Sequence, residues 1–287
     1  MTFARHLLYS IGFLLMACNS GTTHVGGVEQ ALSDTADVKT GFTKYFINCN
    51  VTGSIAIYDY QAKRWILSNT SGVYRETLPA STFKIINLLI ALETGVIKSE
   101  KEIVKWNNKA DTVKYGYRPE IYHDMTVEEA FDVSAGWVFA ELAKKIGKKN
   151  YRRYLAACNY GNQDLSNKDD DFWNFGALGI SPVGQVNFLR RLYDYDLPFS
   201  KKNIDIVKEV MVTEEGQHYT IRAKTGWTRD GNINTGWWVG YVENDRGVYF
   251  FATRLLQDRR FKTAGFGACR KEITKKVLED LDIIIGE

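Results

Sequence analysis

The chain has 287 residues, 45% of them hydrophobic and 25% charged, with a formal net charge of +3. This is ordinary globular composition, enough for one large domain or two closely joined lobes. The near-neutral charge leaves no electrostatic case for nucleic acid, and the pairs Lys144-Lys145 and Lys148-Lys149 are too short to form a basic patch.

The chain opens with Arg5 and His6 ahead of an apolar run over 7–17, too short for a permanent membrane span. A basic start, a short apolar core and a small residue at its end describe a secretory signal over 1–17. Leu15-Met16-Ala17-Cys18 is similar to a bacterial lipoprotein processing site. That similarity implies lipidation of Cys18; ordinary cleavage nearby, without lipid, is the plainer alternative. Residues 18–39 are rich in Ser, Gly, Thr and Asp and read as a tether to a folded domain over 40–287. The protein is expected to be exported, to the periplasm, and at most anchored to a membrane at one end.

Past the tether, the residues 53–60 and 64–68 pattern as a β-hairpin. Pro79 then leads into an apolar stretch that stops at Gly95, which is helix punctuation. Helical periodicity follows over 127–131, 137–146, 149–157 and 183–195. Strands return at 219–223, 235–242 and 248–256, and an amphipathic helix over about 269–284 closes the chain. Strands at both ends with helices between predict an α+β fold with one antiparallel sheet flanked by helices. The sheet lobe takes about 40–80 and 205–287, and an inserted helical lobe about 81–204, with a ligand cleft between them.

Cys49, Cys158 and Cys269 allow one disulfide in an oxidising compartment and leave one thiol over, with the pairing open. There is no CxxC, and the four histidines (His6, His24, His123, His218) stand at no metal-ligand spacing, so neither a metal nor an organic cofactor is expected. The absence of a Gly-x-Ser-x-Gly elbow also disfavours a Ser-His-Asp hydrolase.

Ser81 and Lys84 are three apart at the start of the predicted helix, so they share one face. The helix end adds free backbone N–H groups and partial positive charge. A nucleophile, a nitrogen base and a place for an oxyanion are the parts of a covalent acyl-transfer centre. Alone, Ser-x-x-Lys reads as readily as a helix cap with a solvated lysine. Downstream, however, Lys224-Thr225-Gly226 follows an alternating β-like run. Ser134-Ala135-Gly136, Tyr160-Gly161-Asn162, Asp171-Phe172-Trp173, Trp237-Trp238-Val239-Gly240 and Arg270 complete an ordered set.

From about residue 50 to the end, these motifs resemble a class D (oxacillinase-type) serine β-lactamase, within the β-lactamase and penicillin-binding-protein fold. The resemblance implies hydrolysis of β-lactam antibiotics, and these small molecules are the partners it names. It implies that Ser81 is acylated, and that Lys84, carbamylated by carbon dioxide to N6-carboxylysine, is the general base. Ser134 would pass a proton to the departing nitrogen. The N–H groups of Ser81 and Trp227 would form the oxyanion hole. Lys224, Thr225, Gly226 and Arg270 would line the place of the substrate carboxylate, and the indole of Trp173 would support the carbamate. Phe83, Trp137, Val138 and Trp173 are expected to wall the lysine pocket.

Two positions depart from the family pattern. Gly136 stands where Val is usual, which removes apolar cover from the lysine, and Asn174 stands where many relatives place Leu. Both touch the hydrolytic half of the reaction. The competing readings are a β-lactam sensor that is acylated without turnover, and a cell-wall transpeptidase or carboxypeptidase. The Tyr160-Gly161-Asn162 and Phe172-Trp173 motifs point away from the latter.

Overall fold

In the computed structural model, residues 35–109, 111–167, 170–261 and 265–285 are described. The expected signal, the expected lipidation at Cys18 and the expected tether up to residue 34 lie outside them. Residues 34–287 form one compact unit.

The first elements are β1 (Thr35–Val38), α1 (Thr43–Asn48), β2 (Thr52–Asp59) and β3 (Arg64–Leu67). The middle of the chain supplies α2 (Lys84–Glu93), β4 (Ile103–Val104), α3 (Thr112–Tyr115), β5 (Met125–Thr126), α4 (Val127–Asp132), α5 (Gly136–Cys158), α6 (Phe172–Phe175), α7 (Pro182–Tyr193) and α8 (Lys201–Val210). The end supplies β6 (Val212–Glu215), β7 (Tyr219–Asp230), β8 (Ile233–Asn244), β9 (Gly247–Asp258) and α9 (Phe266–Asp280).

Seven strands form one sheet in the order β1-β3-β2-β9-β8-β7-β6. As expected, strands from both ends of the chain meet, with Ala56 of β2 opposite Ala252 of β9. One expectation needs correction. The edge strand β1 pairs with β3 in parallel, so the sheet is mixed rather than antiparallel throughout. The strand β1 occupies 35–38, inside the stretch read from sequence as tether.

Both faces of the sheet are covered, which is why β2 is buried from Ser54 to Tyr58 and reads as a continuous apolar run. Ala56, Tyr58, Trp237, Val239 and Tyr241 face the helical middle of the chain. Ile55, Ile57, Trp238 and Val242 face α1 and α9 on the other side. The helix α7 packs on β9 and β2, so part of the expected helical lobe covers the sheet itself. Its start follows from local rules: Pro182 at the first turn, and Ser181 Oγ accepting from the Gly184 N–H.

The α2 helix is buried along its whole length from Lys84 to Leu92. Each fully buried Leu or Ile contributes about 1.5–3 kcal/mol, so the apolar face fixes this helix firmly at the centre. Lys84 is the charge that the same burial carries along. Gly147, at φ 74°, breaks α5 into the two segments that the sequence periodicity predicts. Cys49 at the end of α1 is bonded to Cys269 in α9, and Cys158 is buried without a disulfide partner. Among the described residues, no helix is long and apolar enough to cross a membrane.

Candidate active site

The chain reaches Ser81 through a short 3-10 turn, Ala80–Phe83, that leads into α2. Ala80 is fully buried at φ 53°, a left-handed conformation that costs a non-glycine residue energy. Ser134, ahead of α5, sits at φ 56°. The fold therefore holds backbone strain beside one candidate serine and at the other.

Lys84 Nζ lies 2.8 Å from Ser81 Oγ. The lysine is 1% exposed, and its Nζ is 5.1 Å from the centre of the Phe139 ring. Burial pulls its pKa down to about 8, against an upward pull from the Asp171 carboxylate and a further downward push from Arg118. A buried amine near neutrality in this regime is a competent base for the adjacent hydroxyl.

On the opposite wall, Lys224 Nζ is 2.6 Å from Ser134 Oγ and 3.5 Å from Thr225 Oγ1. Burial, and then the charges of Lys84 and Arg270, hold the Lys224 pKa well below the ordinary lysine value. The strand β7 runs close against the Ser81 turn. A Cβ at Gly226 would stand 2.9 Å from the Pro79 carbonyl oxygen and 3.2 Å from the Thr82 nitrogen, so only glycine fits there. Beyond Arg222 the β7 edge is not paired with β6. Arg270, from α9, donates from Nη1 to the Gly226 carbonyl at 2.6 Å, while its buried Nε has no partner. Trp227 is 51% exposed, with its ring on Phe266.

Trp173 is fully buried and stacks on Phe83 at 5.0 Å between ring centres. Its indole Nε1 is buried without a hydrogen-bond partner. An orphaned donor of this kind costs about 1–3 kcal/mol unless something fills the acceptor position.

Ser81, Lys84, Ser134, Lys224, Thr225, Gly226 and Arg270 thus form one contiguous set, although Ser134 and Lys224 are 90 residues apart. Several expectations need amendment. Trp137 does not wall the lysine; its ring packs edge-on against Trp106 at 5.0 Å, and its Nε1 donates to the Ile121 carbonyl. Phe139, two residues further along α5, takes that place. Asn174 turns its amide to Asp171 Oδ1 at 2.7 Å, and its carbonyl accepts from Thr228 Oγ1. Tyr160-Gly161-Asn162 supports the site from outside: Tyr160 packs edge-on against Phe83, and Asn162 ties its turn to Ala177 and Gly179. Asp171 and Tyr115 were not singled out by sequence reasoning. No sequence signal marks Tyr115, and Asp171 carries one only as the residue leading the Phe172-Trp173 motif.

A serine with a buried lysine base, set at a helix start under a β-strand edge lined by cations, is the arrangement of a serine acyl-transfer enzyme. The penicillin binding protein transpeptidase domain matches residues 50–279. The β-lactamase OXA-10 of Pseudomonas aeruginosa is 38% identical over 277 residues, covering 96% of this chain and 98% of that one. The β-lactamase OXA-48 of Klebsiella pneumoniae is 36% identical over 240 residues, 84% of this chain and 87% of that one. The crystal structure of a class D β-lactamase from Sebaldella termitidis matches with a TM-score of 0.82 at 39% identity, covering 88% of this chain and 99% of its own. The chain belongs to the class D β-lactamase family.

Proposed function

We propose that this protein hydrolyses β-lactam antibiotics, penicillins and oxacillin-type compounds among them, through an acyl-enzyme on Ser81, and that it thereby confers resistance on an exporting cell. The observation that carries this is the buried Lys84 amine 2.8 Å from Ser81 Oγ. Ser81 Oγ attacks the lactam carbonyl carbon as its proton leaves toward the Lys84 side. The carbonyl oxygen, briefly negative, is met by the N–H groups of Ser81 and Trp227. The C–N bond then breaks, and Ser134, bonded to Lys224, hands a proton to the freed nitrogen. Water cleaves the ester and returns the proton to Ser81. Carbon dioxide bound to Lys84 as a carbamate supplies an anionic base for both halves, with Trp173 as the residue that would hold it. Lys224 and Arg270 give the cleft the positive potential that draws in the substrate carboxylate, and the planar guanidinium suits two-point contact.

A time course of chromogenic cephalosporin cleavage tests this. Sustained turnover that rises with bicarbonate is expected. A single stoichiometric burst with and without bicarbonate would mean that the protein binds β-lactams without hydrolysing them.

The position of Gly136 adds a second expectation. A Cβ built there meets nothing within 4 Å, so the space that a Val side chain would fill is open. In the family pattern a Val side chain here helps keep the lysine pocket dry; without it water enters and weakens the apolar environment that favours the neutral amine. Gly136→Val is expected to lower the bicarbonate needed for half-maximal turnover several-fold. An unchanged bicarbonate titration in a folded variant would count against it.

A further inference from the structure

Asp171 is the one carboxylate among the described residues that is buried, at 5% exposure. It immediately precedes the Phe172-Trp173 pair, whose rings lie 5.4 and 5.0 Å from that of Phe83, the residue before Lys84. Its oxygens are held from two directions: Tyr115 Oη donates to Oδ2, and Asn174 Nδ2 donates to Oδ1 at 2.7 Å. Both partners donate, so the ionised form is the one this cradle suits. Lys114 is a nearby cation whose charge favours the ionised form. The charged and titratable groups coupled to Asp171 or Lys84 from the surrounding elements include Lys114, Tyr115, Arg118 and Lys224, together with these two residues themselves.

The two buried groups feel each other. The Asp171 charge pushes the Lys84 pKa upward, and Lys84 pulls that of Asp171 down against the stronger effect of burial.

We infer that Asp171 is a positioning residue that sets how much carbon dioxide Lys84 requires, by holding an anion near the site where the carbamate forms. The inference rests on the carbamate reading given above. In carbamylation the Nζ lone pair bonds to the carbon of carbon dioxide. One C=O π pair moves onto oxygen, and the ammonium sheds two protons to solvent. The local charge runs from +1 to −1, so a neighbouring carboxylate opposes the change twice: it favours the starting cation and repels the product anion. The cradle of Tyr115 and Asn174 keeps that carboxylate in place. Asn174, at the position where relatives place Leu, therefore tunes the hydrolytic machinery through Asp171 rather than by lining the water path.

The test is a bicarbonate titration of Asp171→Asn and of the wild-type protein, read by turnover and by the carbamate ¹³C signal after addition of ¹³C-bicarbonate. The expected result is a half-saturating bicarbonate concentration lower by on the order of tenfold, equivalent to about 1.4 kcal/mol. Asp171→Glu, which restores the charge, should return the midpoint toward wild type. A purely structural role would change Tm or kcat without moving the ¹³C midpoint. Tyr115→Phe, at a partly exposed residue, serves if Asp171→Asn does not fold. Loss of its donor raises the Asp171 pKa and should move the midpoint in the same direction, by less. A clear carbamate signal with an unmoved midpoint in a folded variant overturns the role of Asp171 alone. No carbamate signal in any protein at any bicarbonate concentration overturns the carbamate reading, and this inference with it.

Discussion

Lys84→Met is expected to leave a protein that is acylated slowly and then stalls. A positioned base is worth roughly 10²- to 10⁴-fold in one step, and Lys84 stands beside the nucleophile of both. The readout is the mass of the protein after mixing with a penicillin: the acyl adduct should persist for the variant and vanish for wild type. Retained turnover in Lys84→Met would remove Lys84 as the base. The same variant is expected to be more stable than wild type at pH 7 in bicarbonate-free buffer. The folded pKa of about 8 lies below the ordinary value of 10.5. The folded state therefore binds fewer protons than the unfolded one between those values. This burial penalty is fully present below pH 8 and fades as pH rises toward 10.5. From 10.5 − 8 = 2.5 it amounts to roughly 3 kcal/mol. Methionine keeps the stem's volume and carries no charge, so chemical unfolding should show a gain of up to that size. For wild type, acylation without bicarbonate should quicken as pH passes through about 8, where Lys84 loses its proton.

Breaking the Cys49–Cys269 bond is expected to cost stability on a larger scale than a typical core substitution. The two cysteines are 220 residues apart, so the bond closes most of the folded chain into one loop. Chain entropy alone assigns a loop of that length about 5 kcal/mol, an upper figure when the unfolded chain keeps residual structure. Cys49→Ser with Cys269→Ser should lower the denaturant midpoint accordingly, and an unchanged midpoint would show that the bond is absent in the purified protein. Function should follow, because Cys269 is the neighbour of Arg270 on α9, and Arg270 reaches the Gly226 carbonyl at 2.6 Å. Loosening the start of α9 is expected to raise KM more than it lowers kcat.

How much of this was legible in the sequence depends on the range of the interaction. The Ser81 and Lys84 pair was readable because three residues on a helical turn are neighbours whatever the rest of the chain does. Strand patterning at both ends announced the sheet, and the break at Gly147 and the start of α7 followed local punctuation. The parallel edge strand β1 was not readable. Its four residues are too few to stand out from the polar stretch before them, and their burial pattern is mostly exposed, because the strand sits at the rim. Trp137 was misassigned to the lysine wall for a related reason. On α5 the choice between Trp137 and Phe139 is a matter of helix rotation, and only the contacts of Trp137 with Trp106 and the Ile121 carbonyl fix it.

The sequence by itself determined the Ser81 and Lys84 pairing, the strand that carries Lys224 and the overall α+β layout. These rest on local spacing and composition. The tertiary structure alone decided that Lys84 is buried with a lowered pKa, that Ser134 meets Lys224, and that Arg270 braces Gly226. It also decided that Cys49 joins Cys269, and that the Asp171 carboxyl is buried next to the Phe172-Trp173 pair. Each of these depends on which distant segments exclude water from one another, and desolvation belongs to the packed chain as a whole rather than to any stretch of it.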